Sequence, residues 1–304
     1  ERQGKICEGV RDELSSPVAE TGLGTPKTLI LMDSSRLAPG AFMSRLEMLA
    51  DRPDVQGHII DVDDDLAVRT LNGRADVMTA CPFAKNLVAS AIKRIVDAYR
   101  KEYPSIQYAV VVGDDNVIPF FRYPDPALMG NETLYVPPVR DDTTSQASLR
   151  LGYILTDDFL ASSQSVSLHG TQLPVPDLST GRLVETPQEI AGMLDAYLGL
   201  GATNGVVTPG SSLVTGYGFL TDGADEIHDH LSAGIGGTQN RTLITDYDIS
   251  PGVTTPVGAQ PSRSASWTAD NLRSALLGPQ RNDLIFLAGH FSANDALAAD
   301  YKTN

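Results

Sequence analysis

Residues 81–115 read CPFAKNLVASAIKRIVDAYRKEYPSIQYAVVVGDD, and this stretch decides the fold. Pro82 sits where a helix begins, and Ala84, Leu87, Val88, Ala91, Ile92, Ile95 and Val96 recur at the 3.6-residue period of one apolar face. The spacing predicts a helix over Cys81–Glu102. Tyr108–Val112 then runs apolar without alternation and stops at Gly113-Asp114-Asp115, which is the pattern of a strand buried on both faces. A long helix followed by a doubly buried strand is half of a β-α-β crossover.

Working outward, the same alternation recurs. Thr28–Met32 and His58–Val62 read as strands around a helix at Ala41–Ala50. Gly181–Val184, Leu213–Thr215, Arg241–Thr245 and Leu284–Ala288 read as further strands, with helices at Thr186–Leu200, Asp222–Ser232 and Thr268–Leu277. Thr186-Pro187 supplies an N-cap followed by proline in the first turn. Between them, Ile118–Leu178 is rich in Pro, Ser, Thr, Asp and Gly, with short strand candidates at Leu134–Val136 and Tyr153–Leu155. The pattern predicts an α/β protein of two αβα subdomains with mostly parallel sheets. Its expected divisions are a lead-in segment at residues 1–26, a first subdomain at 27–140, an irregular connection at 141–180 and a second subdomain at 181–304, incomplete at its C-terminus.

Composition narrows the function classes. The 304 residues carry 38 acidic against 23 basic side chains, a net charge of −15. That balance argues against a nucleic-acid binder, which needs clustered Lys and Arg. No apolar run approaches the roughly 20 residues that span a bilayer. Two cysteines, Cys7 and Cys81, are too few for a disulfide scaffold, and Cys81 reads as a half-buried thiol near a helix start, against the alternative of a reactive thiol at the helix N-terminus. The sequence opens at Glu1 without Met and closes at Asn304 soon after a strand, so it reads as a piece of a longer polypeptide.

The sharpest chemical feature is Asp283-Leu284-Ile285-Phe286-Leu287-Ala288-Gly289-His290-Phe291-Ser292. A buried strand delivers a Gly-His pair at its carboxyl end, where open α/β sheets bind ligands, and a histidine there can move a proton near neutral pH. The alternative is a structural loop histidine.

The ordered set of motifs resembles the gingipain-type cysteine peptidases of the caspase-like clan. Tyr108–Asp115 with Ile118–Asp125, Thr156-Asp157-Asp158, Thr180–Pro187, Leu213–Gly223 and the strand ending in Gly289-His290 occur in the order of that family. The resemblance implies a caspase-like fold and peptide-bond hydrolysis by a Cys-His dyad acting on a peptide or protein substrate. It implies His290 as the proton-transfer residue, the N–H groups of Gly289 or Phe291 at an oxyanion, and Asp222 or Asp225 in a pocket for a basic side chain. It also implies export to the cell surface or beyond. Two departures stand out: no Cys follows His290, and Gly218 occupies the place where an acid orienting the His is expected. The nucleophile would then come from a C-terminal continuation or a second chain, and the isolated chain is expected to be inert. A non-catalytic scaffold domain of a large surface or filament-associated protein is the competing reading. Asp222 and Asp225 also read as acids complementing a helix N-terminus.

No resident metal or other cofactor is expected for that chemistry. Asp61, Asp63 and Asp64, or Asp114 and Asp115, offer carboxylates to Ca²⁺, against the alternative of solvated turns and caps. His228 and His230 stand two apart on one helix and so face apart, which disfavours joint zinc binding.

Overall fold

The computed structural model describes residues 7–13, 15–126, 131, 133, 143–168, 171–199, 208–217, 220–235, 239–244 and 267–288. The chain divides into two compact units, Glu1–Val206 and Val207–Asn304.

The first unit is built on β1 (Thr28–Met32), α1 (Met43–Ala50), β2 (Gly57–Asp61), α2 (Leu66–Val77), α3 (Pro82–Glu102) and β3 (Tyr108–Val112). It continues through β4 (Phe121–Pro124), α4 (Thr144–Arg150), β5 (Tyr153–Thr156), α5 (Asp158–Ala161), β6 (Ser162–Leu168), β7 (Thr171–Pro176), β8 (Ser179–Leu183) and α6 (Pro187–Gly199). Its main sheet has the order β2-β1-β3-β8, with every pairing parallel.

The apolar strands explain the layers. Side chains alternate across a strand, so Leu29 and Leu31 of β1 join one core with Val68 of α2 and Val88 and Ile92 of α3. Ile30 and Met32 join the opposite core with Leu46 and Leu49 of α1 and Ile190 and Leu194 of α6. Ala109 and Val111 of β3 repeat the first assignment and Val110 and Val112 the second. Each strand therefore needs apolar residues at every position, which is why no polar alternation was visible. At the end of β3, Gly113 has φ +106, and a Cβ there would lie 2.6 Å from Val117, so the turn requires glycine.

Three features differ from the sequence reading. First, β8 and α6 complete the first sheet and its covering layer, so the units divide after Val206 and not at residue 180. The parallel edge of β3 supplies the partner that β8 needs. The expected irregular connection at 141–180 holds α4, α5, β5, which pairs antiparallel with the earlier β4, and the hairpin β6-β7. The strand candidate at 134–136 lies outside the described residues. Second, the acidic turn Asp61–Asp65 starts an unexpected helix, α2. Asp65 caps it by accepting from the N–H groups of Ala67 and Val68.

Third, the lead-in is tied down. Cys7 and Cys81 form a disulfide, so Cys81 is not the free thiol expected from the sequence. Arg94 donates to Asp12 and to the Glu13 carbonyl, and Arg74 to the Arg11 carbonyl and the Glu13 carboxylate. Tyr103 donates to the Glu20 carbonyl at 2.7 Å and accepts from Leu23 N–H. Val10, Ala19 and Leu23 pack on the α2/α3 core. The segment is irregular because its partners are side chains of those helices and not a ladder of its own.

Arg100 of α3 pairs with Asp177, just after β7, at 3.0 Å. With Ser163, it holds the Asp177 carboxyl down at about 2. The folded value lies below the unfolded 3.8, so this pair stabilises fully above the unfolded pKa, and its contribution is lost as pH falls through about 2. Asp177 is partly exposed, which keeps the effect below about 1 kcal/mol. D177N is expected to lower the unfolding midpoint slightly at pH 7 and to converge on the parent as pH approaches 2. A constant difference across that range, in thermal melts at several pH values, would refute the assignment.

The second unit contains β9 (Ser212–Gly216), α7 (Thr221–Ile235), β10 (Asn240–Ile244), α8 (Ala269–Leu277) and β11 (Leu284–Phe286). Its parallel sheet has the order β10-β9-β11. β9 is buried along its whole length. Val214, Ala224 and Ile244 pack together as one core cluster, and Tyr217, Trp267 and Leu272 as another. A Cβ at Gly216 would come within 2.6 Å of the Ala224 Cβ, so glycine lets α7 close on the strand. Thr268 and Asn271 form a reciprocal cap at the start of α8. Among the described residues, no helix is long and apolar enough to cross a membrane.

Candidate active site

β11, exposed at Ile285 and Phe286 and not buried as the sequence predicts because it is an edge strand of this sheet, is tied to β9 by polar contacts at both ends. At its start, Asp283 accepts from Gly210 N–H at 2.8 Å and from the Ser211 hydroxyl at 3.1 Å, which holds its carboxyl below the usual range. At its far end, Ala288 N–H donates to the buried Thr215 Oγ1 at 3.1 Å. These contacts keep β11 in register with β9 up to the residue before Gly289. Gly289, His290, Phe291 and Gly218 lie outside the described residues.

Around that edge, Trp267 donates from Nε1 to the Gly216 carbonyl at 3.1 Å, and its ring meets Tyr217 at 5.7 Å between centroids. Thr221 opens α7, with Asp222 exposed in its first turn and Asp225 half-buried one turn on. His230 pairs with Glu226 on the exposed side of α7, while His228 lies against Ser232. The two histidines thus have separate partners.

A second polar assembly closes the carboxyl edge of the first sheet. Asp33 follows β1 and is almost fully buried. Its Oδ1 accepts from the Ser35 N–H and hydroxyl and from Arg36 N–H, and its Oδ2 from Asn72 Nδ2 at 3.3 Å. Burial nevertheless pushes this carboxyl above its usual range. Asp115 follows β3 and faces Arg122 in a two-pronged pair, Nη1 to Oδ1 at 2.7 Å and Nη2 to Oδ2 at 2.6 Å. Ser145 also donates to Asp115, and Arg122 Nε to Ser148. Burial alone would raise the Asp115 carboxyl, but Arg122, Ser145 and Lys85 outweigh it and hold it low.

Two of the sequence motifs meet here. Arg182 of β8 donates from Nε and Nη2 to Asp157 at 2.6 and 2.7 Å, and from Nη1 to the Gly113 and Ile118 carbonyls. Its guanidinium also lies 3.7 Å from the Phe120 ring centroid. Thr156-Asp157-Asp158 and Thr180-Gly181-Arg182 are therefore joined by one bidentate pair and serve to lock β8 and the segment after β3 together.

The acidic candidates for Ca²⁺ have local duties. Asp61 accepts from the N–H groups of Ser34 and Asp63, and Asp63 from the Ser35 hydroxyl. Asp64 is exposed. Asp114 accepts from Asn116 and Val117, and Asp115 belongs to the Arg122 pair. Among the described residues, no three His, Cys, Asp or Glu side chains are grouped to hold a metal ion.

The buried Arg122 escaped sequence reasoning. The available signal was a lone cation between Phe120-Phe121 and Tyr123, since a charge in an apolar stretch must find a partner.

No family model and no curated protein matches the chain. Among solved structures it is similar to the Arg-specific cysteine proteinase gingipain R, with a TM-score of 0.44 and 14% identity over 78% of this chain and 44% of that one. The chain thus spans less than half the length of that protein.

Proposed function

We propose that this chain is the histidine-bearing part of a gingipain-like cysteine endopeptidase. The observation that supports it is the course of β11. It runs parallel to β9, and the Ala288–Thr215 contact carries its register to the threshold of Gly289-His290, at the sheet edge where α/β proteins bind ligands. In this reading His290 takes the proton of a thiol and returns it to the leaving amine, while the N–H of Gly289 or Phe291 stabilises the oxyanion. Asp222 and Asp225 bias the pocket toward a basic side chain before the cleaved bond.

Cys7 and Cys81 are joined to each other. The thiolate would therefore come from sequence beyond these residues or from a second chain. The disulfide also favours an oxidising compartment, consistent with an exported or cell-surface protein. The same disulfide supports the second reading, a non-catalytic peptidase-like scaffold, because it leaves this sequence without a free thiol.

The test uses the full-length parent protein and a peptide library. H290A is expected to lower kcat by about 10²–10⁴-fold, the usual contribution of a general acid–base group. The parent's cleavage sites should follow Arg or Lys. Unchanged turnover in H290A would overturn the role of His290. Absence of hydrolysis by the parent would leave the scaffold reading.

A further inference from the structure

β9 is buried along its whole length, a setting that suits apolar side chains. Yet Ser212 and Thr215, both without exposed surface, place hydroxyls in it, and Ser211 places one just before it. A buried hydroxyl costs free energy unless it is bonded. Here each one fastens the end of a neighbouring strand. Ser211 donates to Asp283 ahead of β11, and Ser212 donates to Asn240 Oδ1 at the start of β10 at 2.8 Å. Those two fix where the neighbouring strands begin. Thr215 stands at the opposite, carboxyl end.

The two sides of β9 differ there. Pairing with β10 runs to the last residue, Gly216 with Ile244. Pairing with β11 stops at Val214 with Phe286. Beyond that point a side chain takes the place of the ladder. Ala288 N–H donates to Thr215 Oγ1 at 3.1 Å, and the same hydroxyl faces the Ala288 carbonyl at 3.5 Å. One buried hydroxyl thus meets both main-chain groups of one residue. Valine has the same branched shape without the hydroxyl. It would fill this place in the strand and leave the Ala288 N–H without its acceptor.

Ala288 lies two residues before His290, with Gly289 between them. Glycine does little to restrict its own backbone, so it cannot by itself fix the direction of the residue that follows. A reproducible imidazole position then requires a fixed point just before the glycine. Reacting groups must be held closely, since a misplacement of about 1 Å can cost about 10²-fold in rate.

We propose that Thr215 is the positioning residue of His290. The proposal rests on the peptidase reading above, in which His290 moves the proton. Thr215 acts through the Ala288 main chain and takes no part in the proton transfer.

The test uses the full-length parent protein with T215V, T215S and S212A. T215V removes the clasp and keeps the shape. S212A removes an equally buried hydroxyl that serves β10, and so controls for the loss of a core hydrogen bond. T215V is expected to lower kcat by about 10–100-fold and to change KM by less than about twofold. T215S should restore kcat to within about threefold of the parent, and S212A should leave it within about twofold. Amide exchange at Ala288 should accelerate by about tenfold or more in T215V and hold at the parent rate in T215S and S212A. If T215V does not fold, T215A replaces it. Equal kcat losses in T215V and S212A, or unmoved Ala288 exchange in T215V, would overturn the proposal. Activity lost in H290A but kept in T215V would overturn the role of Thr215 alone. Absence of hydrolysis in the parent and every variant would overturn the peptidase reading alone. Ala288 exchange and the reactivity of His290 toward diethyl pyrocarbonate then decide Thr215: changes in T215V that T215S reverses support it, and their absence overturns it.

Discussion

Replacing Arg122 by Met lowers the stability of the first unit by about 3–5 kcal/mol, the usual cost of stripping one partner from a buried ion pair. For a unit of this size that is a fall of roughly 6–20 °C in Tm. The magnitude follows from what stays behind. Asp115 would keep only the Phe120 N–H and the Ser145 hydroxyl, in a site where burial already opposes its charge. Ser148 would lose the Nε donor, and the Phe120 carbonyl the Nη1 donor. The backbone of β4 is held separately, because Asn86 bonds both the N–H and the carbonyl of residue 122. The loss should therefore appear as stability and not as a misplaced strand. Denaturant unfolding of R122M, D115N and the double variant measures it. The double variant should be less destabilised than the sum of the singles, because the second change removes the charge that the first leaves stranded. Strict additivity would mean that the pair contributes nothing specific.

The sequence revealed most of the regular elements, for a physical reason. A doubly buried parallel strand needs apolar side chains at consecutive positions, and Thr28–Met32 and Tyr108–Val112 meet that need in five-residue runs. The α3 face was equally legible, with Ala84 through Val96 at helical spacing. What escaped was held by weaker local signals. The face that α2 buries includes Ala67, Val68, Leu71, Asn72 and Ala75, a small and partly polar set. The β6-β7 hairpin carries Ser and Gln along an exposed strand, and its register comes from backbone bonds. At the candidate site, the strand that leads toward Gly289-His290 was readable, because Leu284–Ala288 is an unbroken apolar run, though its exposure was not. The pairing of Arg182 with Asp157 was not. The two are 25 residues apart, on segments whose meeting depends on β8 joining β3, and no local spacing encodes that.

The Cys7–Cys81 bond was equally hidden, since two cysteines 74 residues apart carry no spacing signal. Its loss is expected to have the other large effect. Closing a loop of that length removes conformational freedom from the unfolded chain worth about 4–5 kcal/mol by the loop-entropy relation. C7S/C81S should accordingly lower Tm by roughly 8–20 °C. The folded state should change less, because the lead-in keeps the contacts of Asp12, Glu13 and Glu20 with α2 and α3 and the packing of Ala19 and Leu23. Circular dichroism of the folded variant should match the parent. Its amide exchange should rise first near the severed end, at Val10, whose N–H bonds the Cys7 carbonyl, and least at Leu23, whose N–H bonds Tyr103 inside the strap. Dithiothreitol added to the parent should reproduce the shift and leave the variant unmoved. An unchanged midpoint in reduced parent protein would show that the side-chain clasps alone hold the segment. In that case the disulfide would add neither stability nor support for an oxidising compartment, and the proposal of an exported peptidase would lose its strongest chemical argument.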